Sequence, residues 1–262
     1  MRLSSTTWTR IMFCGMIMAV WPVWRWYGLR TIDGSDEPWG LLALGTFAWI
    51  AVRDRIGFLR DEWRFIGAAF LLCIYTLTFD ALSPLPRAIL AMGAFSFVLL
   101  RRQTAIASGA LLSLSLPVIA TAQFYLGYPL RVFAAEASVL TLRAFDFAVS
   151  REGSLIHWRG ESILVDAPCS GVRMLWLGLY LAATLAAWGR LSNVRSMLLL
   201  TATLALVIGA NAVRATALFF KEANIVALPE WTHAGVGLLV FASAALLIVR
   251  LAQAKEAQPC CR

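Results

Sequence analysis

Eight apolar runs separated by short charged segments dominate this chain, at roughly 11–29, 38–52, 65–80, 88–100, 104–127, 169–188, 196–218 and 233–251. A run of about 20 residues lets an α-helix cross the ~30 Å hydrocarbon core of a bilayer with its backbone polar groups satisfied internally. The expected fold class is therefore all-α, a polytopic transmembrane helical bundle of about eight spans. The short 88–100 run leaves a count of seven open. Of the 262 residues, 60% are hydrophobic and 15% charged, against roughly 45–50% and about 25% in a soluble domain. Most of the surface must face something other than water. Residues 1–262 read as one integral membrane domain, with spans 1–5 over 1–127, an extracytoplasmic segment over 128–168, three further spans over 169–251 and a tail over 252–262. The first run reads as a retained helix, because no small-residue cleavage site follows it and Trp21, Trp24, Arg25 and Trp26 suit an interfacial helix end.

The net charge is +8, and a basic chain raises the question of nucleic acid. Here the charges sit between apolar runs, so orientation in a membrane explains them and nucleic-acid binding does not. With a cytoplasmic N-terminus and alternating spans, the inner segments hold Arg2, Arg10, Arg53, Arg55, Arg60, Arg64, Arg101, Arg102, Arg190, Arg195, Arg250, Lys255 and Arg262. The outer segments hold Arg30, Arg87, Arg131, Arg143, Arg151, Arg159 and Lys221. Four of those outer charges lie in the single long segment, which weighs least in the positive-inside rule. Both termini are thus expected in the cytoplasm, in an inner membrane.

The long outer segment has its own pattern. Ala134–Val149 is amphipathic and is expected to form a helix along the membrane surface. The runs Leu155–Trp158 and Ser162–Val165, joined by Arg159-Gly160, predict a short hairpin.

Three reactive side chains fall at one predicted membrane face. Cys169 opens the sixth run, Arg214 lies near the outer end of the seventh, and His233 opens the eighth. A helix N-terminus lowers a thiol pKa and favours the thiolate nucleophile, and Arg173, one turn on, would add positive potential. An Arg within a span costs about 2.5–3.5 kcal/mol on insertion scales, so it usually serves a polar cavity. Asn211 shares its face, three residues earlier. A histidine titrates near neutrality and suits acid–base work. Each residue also has a bland reading: a packing cysteine, an arginine that snorkels, a histidine at a helix boundary. Their co-location, with Ser170 and Gly171 adjacent, is what favours a site. His157 is the competing histidine, and Asp166 fits a helix cap better than a partner for His233. Cys14 and Cys73 read as packing residues, Cys260 and Cys261 have no assigned role, and no spacing suggests a metal or cofactor. A transporter or channel component is the rival class. It would carry its charges at mid-span and broken helices near the bilayer centre, and Pro117 is the one strong mid-run breaker. No H-E-x-x-H or G-x-S-x-G is present.

Cys169-Ser170-Gly171, the N-x-x-R of Asn211 to Arg214, and His233 followed by Gly237 and Phe241 occur in this order. With the REG…RG…ILVDAP stretch ahead of the cysteine, they make the chain resemble the exosortase/archaeosortase family of multi-span membrane transpeptidases. The resemblance covers about 131–245; the first 130 residues match only as generic spans. It implies a cysteine protease that cuts the C-terminal sorting signal of secreted proteins. Such a signal is a short motif, often Pro-Glu-Pro, followed by an apolar helix and a basic tail. The enzyme then passes the new carboxyl end to an acceptor. It further implies Cys169 as nucleophile, Arg214 as electrostatic stabiliser and His233 as base or acid, with Asn211, Arg173, Ser170 and Gly171 in support. Ala167-Pro168 departs from what is frequent in the family before the cysteine, so the subfamily and its signal motif stay open.

Overall fold

The computed structural model describes residues 5–32, 38–54, 62–100, 104–226 and 229–254. It is mostly helical. The helices are α1 (Ser5–Ala19), α2 (Trp21–Ile32), α3 (Trp39–Arg53), α4 (Glu62–Leu77), α5 (Pro84–Leu99), α6 (Ala105–Leu114), α7 (Ile119–Ala144), α8 (Val172–Trp188), α9 (Asn193–Glu222) and α10 (Thr232–Gln253). Between α7 and α8 lie three strands, β1 (Val149–Glu152), β2 (Leu155–Trp158) and β3 (Glu161–Leu164), and a 3-10 turn at Ala167–Ser170. Among the described residues, α9 and α10 are long and apolar enough to cross a membrane by themselves, with mean hydropathies of 1.9 and 2.2. Shorter apolar helices occur at Trp39–Arg53, Trp63–Leu77, Pro84–Leu99 and Val172–Trp188.

Several apolar runs differ in structure from their simplest reading. The 11–29 run divides at Val20, because Pro22 has no N–H to offer a continuing helix and is instead accommodated in the first turn of α2. The 104–127 run divides after Leu114, where Pro117 lacks a donor and pushes its predecessor out of helical geometry. The 88–100 run starts earlier, at Pro84, with Pro in the first turn of α5. No separate surface helix forms at Ala134–Val149. Ala134–Ala144 is the second half of α7, which carries Pro129 within it, and Val149 opens β1. Cys14 and Cys73 are exposed on α1 and α4, not packed.

The chain forms two compact units. One holds Met1–Val118 and Arg190–Asn193. In it α4 packs on α5, and Arg64 donates to the carbonyls of Phe97 and Leu100 at 3.1 and 2.7 Å, satisfying the otherwise unpaired end of α5. Arg190 bonds Asp54 at 2.7 Å, and Arg53 beside it does the same. Together Arg53 and Arg190 hold the Asp54 carboxyl well below its ordinary range.

The second unit holds Ile119–Gly189 and Val194–Arg262. Its small sheet is an antiparallel meander in the order β1-β2-β3, with Val149 opposite Trp158 and Leu155 opposite Leu164. The Arg159-Gly160 connection has φ of 49° and 84°, the two positive values that a tight hairpin turn of matching twist needs. The expected hairpin therefore forms, with β1 as an additional strand. Ile156 and Val149 of the sheet, Val139 and Leu142 of α7, and Leu218 and Phe219 of α9 share one buried cluster, and Cys169 belongs to it. Edge-on aromatic contacts of Phe219 with Phe147 and Trp158 tie the sheet to α9. On α8, Gly178 and the buried Ala182, Ala183, Ala186 and Ala187 present a small-residue face. A Cβ on Gly178 would lie 2.6 Å from Val207, so α8 and α9 approach closely there.

Candidate active site

Cys169 does not start α8. It is the third residue of the Ala167–Ser170 turn, and Gly171, at φ 81°, separates that turn from the helix. The Asp166 carboxylate accepts from the Cys169 backbone N–H at 3.3 Å and caps the turn. Gly171 is required twice over. Its φ lies in the left-handed region, and a Cβ there would sit 2.6 Å from Cγ of Asn211. That close approach lets Asn211 Nδ2 donate to the Cys169 carbonyl at 3.0 Å. From the other side, Ser170 Oγ donates to Gln123 Oε1 at 2.8 Å, anchoring the turn to α7.

His233, in the first turn of α10, places Nε2 at 3.8 Å from Cys169 Sγ and at 3.3 Å from Arg214 Nη2. A guanidinium only donates, so Nε2 is the accepting nitrogen and the neutral ring carries its proton on Nδ1. Nδ1 lies 3.9 Å from Glu222 Oε1. Arg214 passes over Gly237, one helical turn beyond His233, where a Cβ would be 3.2 Å from Nε. Among the described residues, that buried Nε has no hydrogen-bond partner.

The Cys169 thiol is pushed up to about 12, chiefly by burial, then by Asp166; the Arg214 charge pulls the other way. This reverses the expected helix-terminus effect. The turn has four residues and ends at Gly171, so no long dipole points at the sulfur, and the Asp166 carboxylate already occupies the Cys169 N–H. Burial and the Asp166 carboxylate thus favour the neutral thiol over the thiolate.

A pocket of about 170 Å³ opens at the sulfur, walled by Ile156, Ile163 and Val165 on one side and Leu218 and Phe219 on the other. It is smaller than the roughly 300–1,000 Å³ of ordinary small-molecule sites and suits a short piece of extended chain. Cys169, Arg214, His233, Asn211, Ser170 and Gly171 thus come together. Arg173 does not: it is exposed on α8, and the break at Gly171 removes the helical register that would have placed it one turn above Cys169. His157 sits on the sheet, bonded to Ser162 Oγ at 2.8 Å, and does not line the pocket. Sequence reasoning missed Gln123 and Glu222, which carry no local motif. Glu222 lies eight residues after Arg214, a helical repeat that keeps it on the same face. Among the described residues, no group of three His, Cys, Asp or Glu is arranged to hold a metal.

No curated protein and no solved structure matches the chain. The family model of the transmembrane exosortases matches residues 8–250, nearly its whole length. With that match over far more than half of the chain and a mostly helical fold with apolar helices, this chain belongs to the transmembrane exosortase family.

Proposed function

We propose that this protein is a cysteine transpeptidase of an inner membrane, a single integral domain of about eight spans with both termini cytoplasmic and its pocket at the extracytoplasmic face. Its substrates are secreted proteins ending in a sorting signal: a short motif, an apolar helix and a basic tail. The observation that carries the reading is the meeting of Cys169, His233 and Arg214 at one ring nitrogen beside a chain-sized pocket.

In the reaction, the Cys169 S–H proton passes to Nε2 of His233 and the sulfur attacks the scissile carbonyl. Arg214 turns from Nε2 to the oxygen that gains charge, a charge-assisted donor in a partly dry site. The C–N bond breaks as His233 returns the proton to the leaving amine, and a thioester remains on Cys169. An acceptor nucleophile, deprotonated by the same imidazole, attacks the thioester and frees the thiol. The substrate's apolar helix lies among the spans and fixes the cut at the height of the sulfur.

The test is co-expression with a tagged secreted protein bearing such a signal, followed by mass measurement of its C-terminus. Processing by the wild type and none by Cys169→Ala is expected. Processing by Cys169→Ala would sink the assignment.

A further inference from the structure

Glu222 is the last residue of α9, two helical turns beyond Arg214 with Leu218 between them. An acidic side chain at a helix C-terminus faces the negative end of the dipole, an unfavourable placement. The stability of α9 therefore does not account for it. The side chain lines the pocket that holds Cys169 and His233, and its Oε1 is 3.9 Å from Nδ1 of His233. On the opposite side of the ring, Nε2 accepts from Arg214 and faces the sulfur. The charged groups around the imidazole are thus Arg214 on the Nε2 side, Glu222 on the Nδ1 side, and Asp166 at the cap of the cysteine turn.

We propose that Glu222 is a positioning residue: its carboxylate holds His233 in the Nδ1–H tautomer and stabilises the imidazolium formed when Nε2 takes the Cys169 proton. This rests on the assignment of Cys169 as nucleophile and His233 as base. The proton moves from sulfur to Nε2, the Nδ1 proton stays on the ring, and none passes to Glu222. At 3.9 Å the resting contact is longer than a hydrogen bond, and it closes when the ring becomes charged.

The sign of the effect separates this role from a simpler one. A carboxylate acting directly on the thiol opposes thiolate formation, so its removal would make Cys169 more reactive. A carboxylate acting through His233 stabilises the thiolate–imidazolium pair, so its removal makes Cys169 less reactive. Glu222 is about half exposed, 48%, so an amide in its place should leave the fold intact.

The experiment uses the full chain in lipid nanodiscs. Alkylation of Cys169 by iodoacetamide at neutral pH is followed by peptide mass mapping, which separates Cys169 from the other cysteines. Glu222→Gln and His233→Gln should each slow it by about tenfold or more, the equivalent of one pKa unit or more. Glu222→Asp should recover part of the rate, and melting temperatures should match the wild type. If Glu222→Gln reacts as fast as the wild type or faster while His233→Gln is slow, the inference about Glu222 is overturned and the histidine base stands. If His233→Gln reacts at the wild-type rate, the base assignment itself fails, and Glu222 with it.

Discussion

Arg214 donates to the same nitrogen of His233, at 3.3 Å, that faces the Cys169 sulfur at 3.8 Å. In this arrangement the imidazole is engaged by a guanidinium, and burial favours the protonated thiol of Cys169. Under the proposed mechanism, Arg214 exchanges the imidazole for the substrate's developing oxyanion.

Arg214→Lys tests that exchange. Lysine keeps the charge but is a point donor on a flexible stem, without the planar fork that reaches both partners. Losing an oxyanion donor costs about 2.7–4 kcal/mol. Processing of a sorting-signal reporter should fall by about 10²–10³-fold with normal membrane insertion. Near-wild-type processing would show that only the charge of Arg214 matters.

Gly171→Ala should damage the cysteine turn. The new Cβ meets Asn211 Cγ at 2.6 Å and the backbone stays at φ 81°, a conformation that costs an ordinary residue roughly 1–2 kcal/mol. Asn211 must retreat, leaving the Cys169 carbonyl unpaired. Reporter processing should fall at least tenfold. Combining Gly171→Ala with Asn211→Ala should cost less than the sum of the single losses, because both remove one contact.

At Gly237 the size of the replacement should grade the effect. Alanine brings a Cβ to 3.2 Å from Arg214 Nε, a crowding that a few tenths of an ångström relieves. Leucine fills the guanidinium's path. Processing should fall several-fold in Gly237→Ala and nearly vanish in Gly237→Leu, with melting temperatures little changed in detergent.

The pH dependence of thiol chemistry follows from burial. With the Cys169 thiol raised to about 12, the neutral form is the stable one at every pH below that value. The thiolate fraction then grows about tenfold per pH unit. Iodoacetamide labelling of Cys169 in substrate-free His233→Gln, where no imidazole takes the thiol proton, should climb steadily from pH 7 to 10 without a plateau. A plateau reached below pH 8 in that variant would mean a preformed thiolate and contradict the effect of burial on the thiol.

Much of the site was legible because its chemistry uses rare residue types in a hydrophobic chain. Cys169, Arg214 and His233 stand out against apolar neighbours, and Arg159-Gly160 is a local turn signal that the hairpin obeys. Glu222 and Gln123 were not legible. Glu222 ends α9 beside Lys221, where it reads as an ordinary helix-end charge, and only the approach of α10 shows what faces it. Arg173 was misplaced for a related reason: the 3.6-residue periodicity that links it to Cys169 assumes an unbroken helix, and Gly171 ends that assumption.

By itself the sequence determined the membrane character, the order of the apolar segments and the choice of Cys169, Arg214 and His233 as candidates. These depend on composition and spacing along one chain. Tertiary structure decided the burial that raises the Cys169 thiol, the contact of Arg214 with Nε2 of His233 and the place of Glu222 beside Nδ1. Each of these depends on desolvation and on charges a few ångströms away across different helices, and sequence separation carries no measure of either.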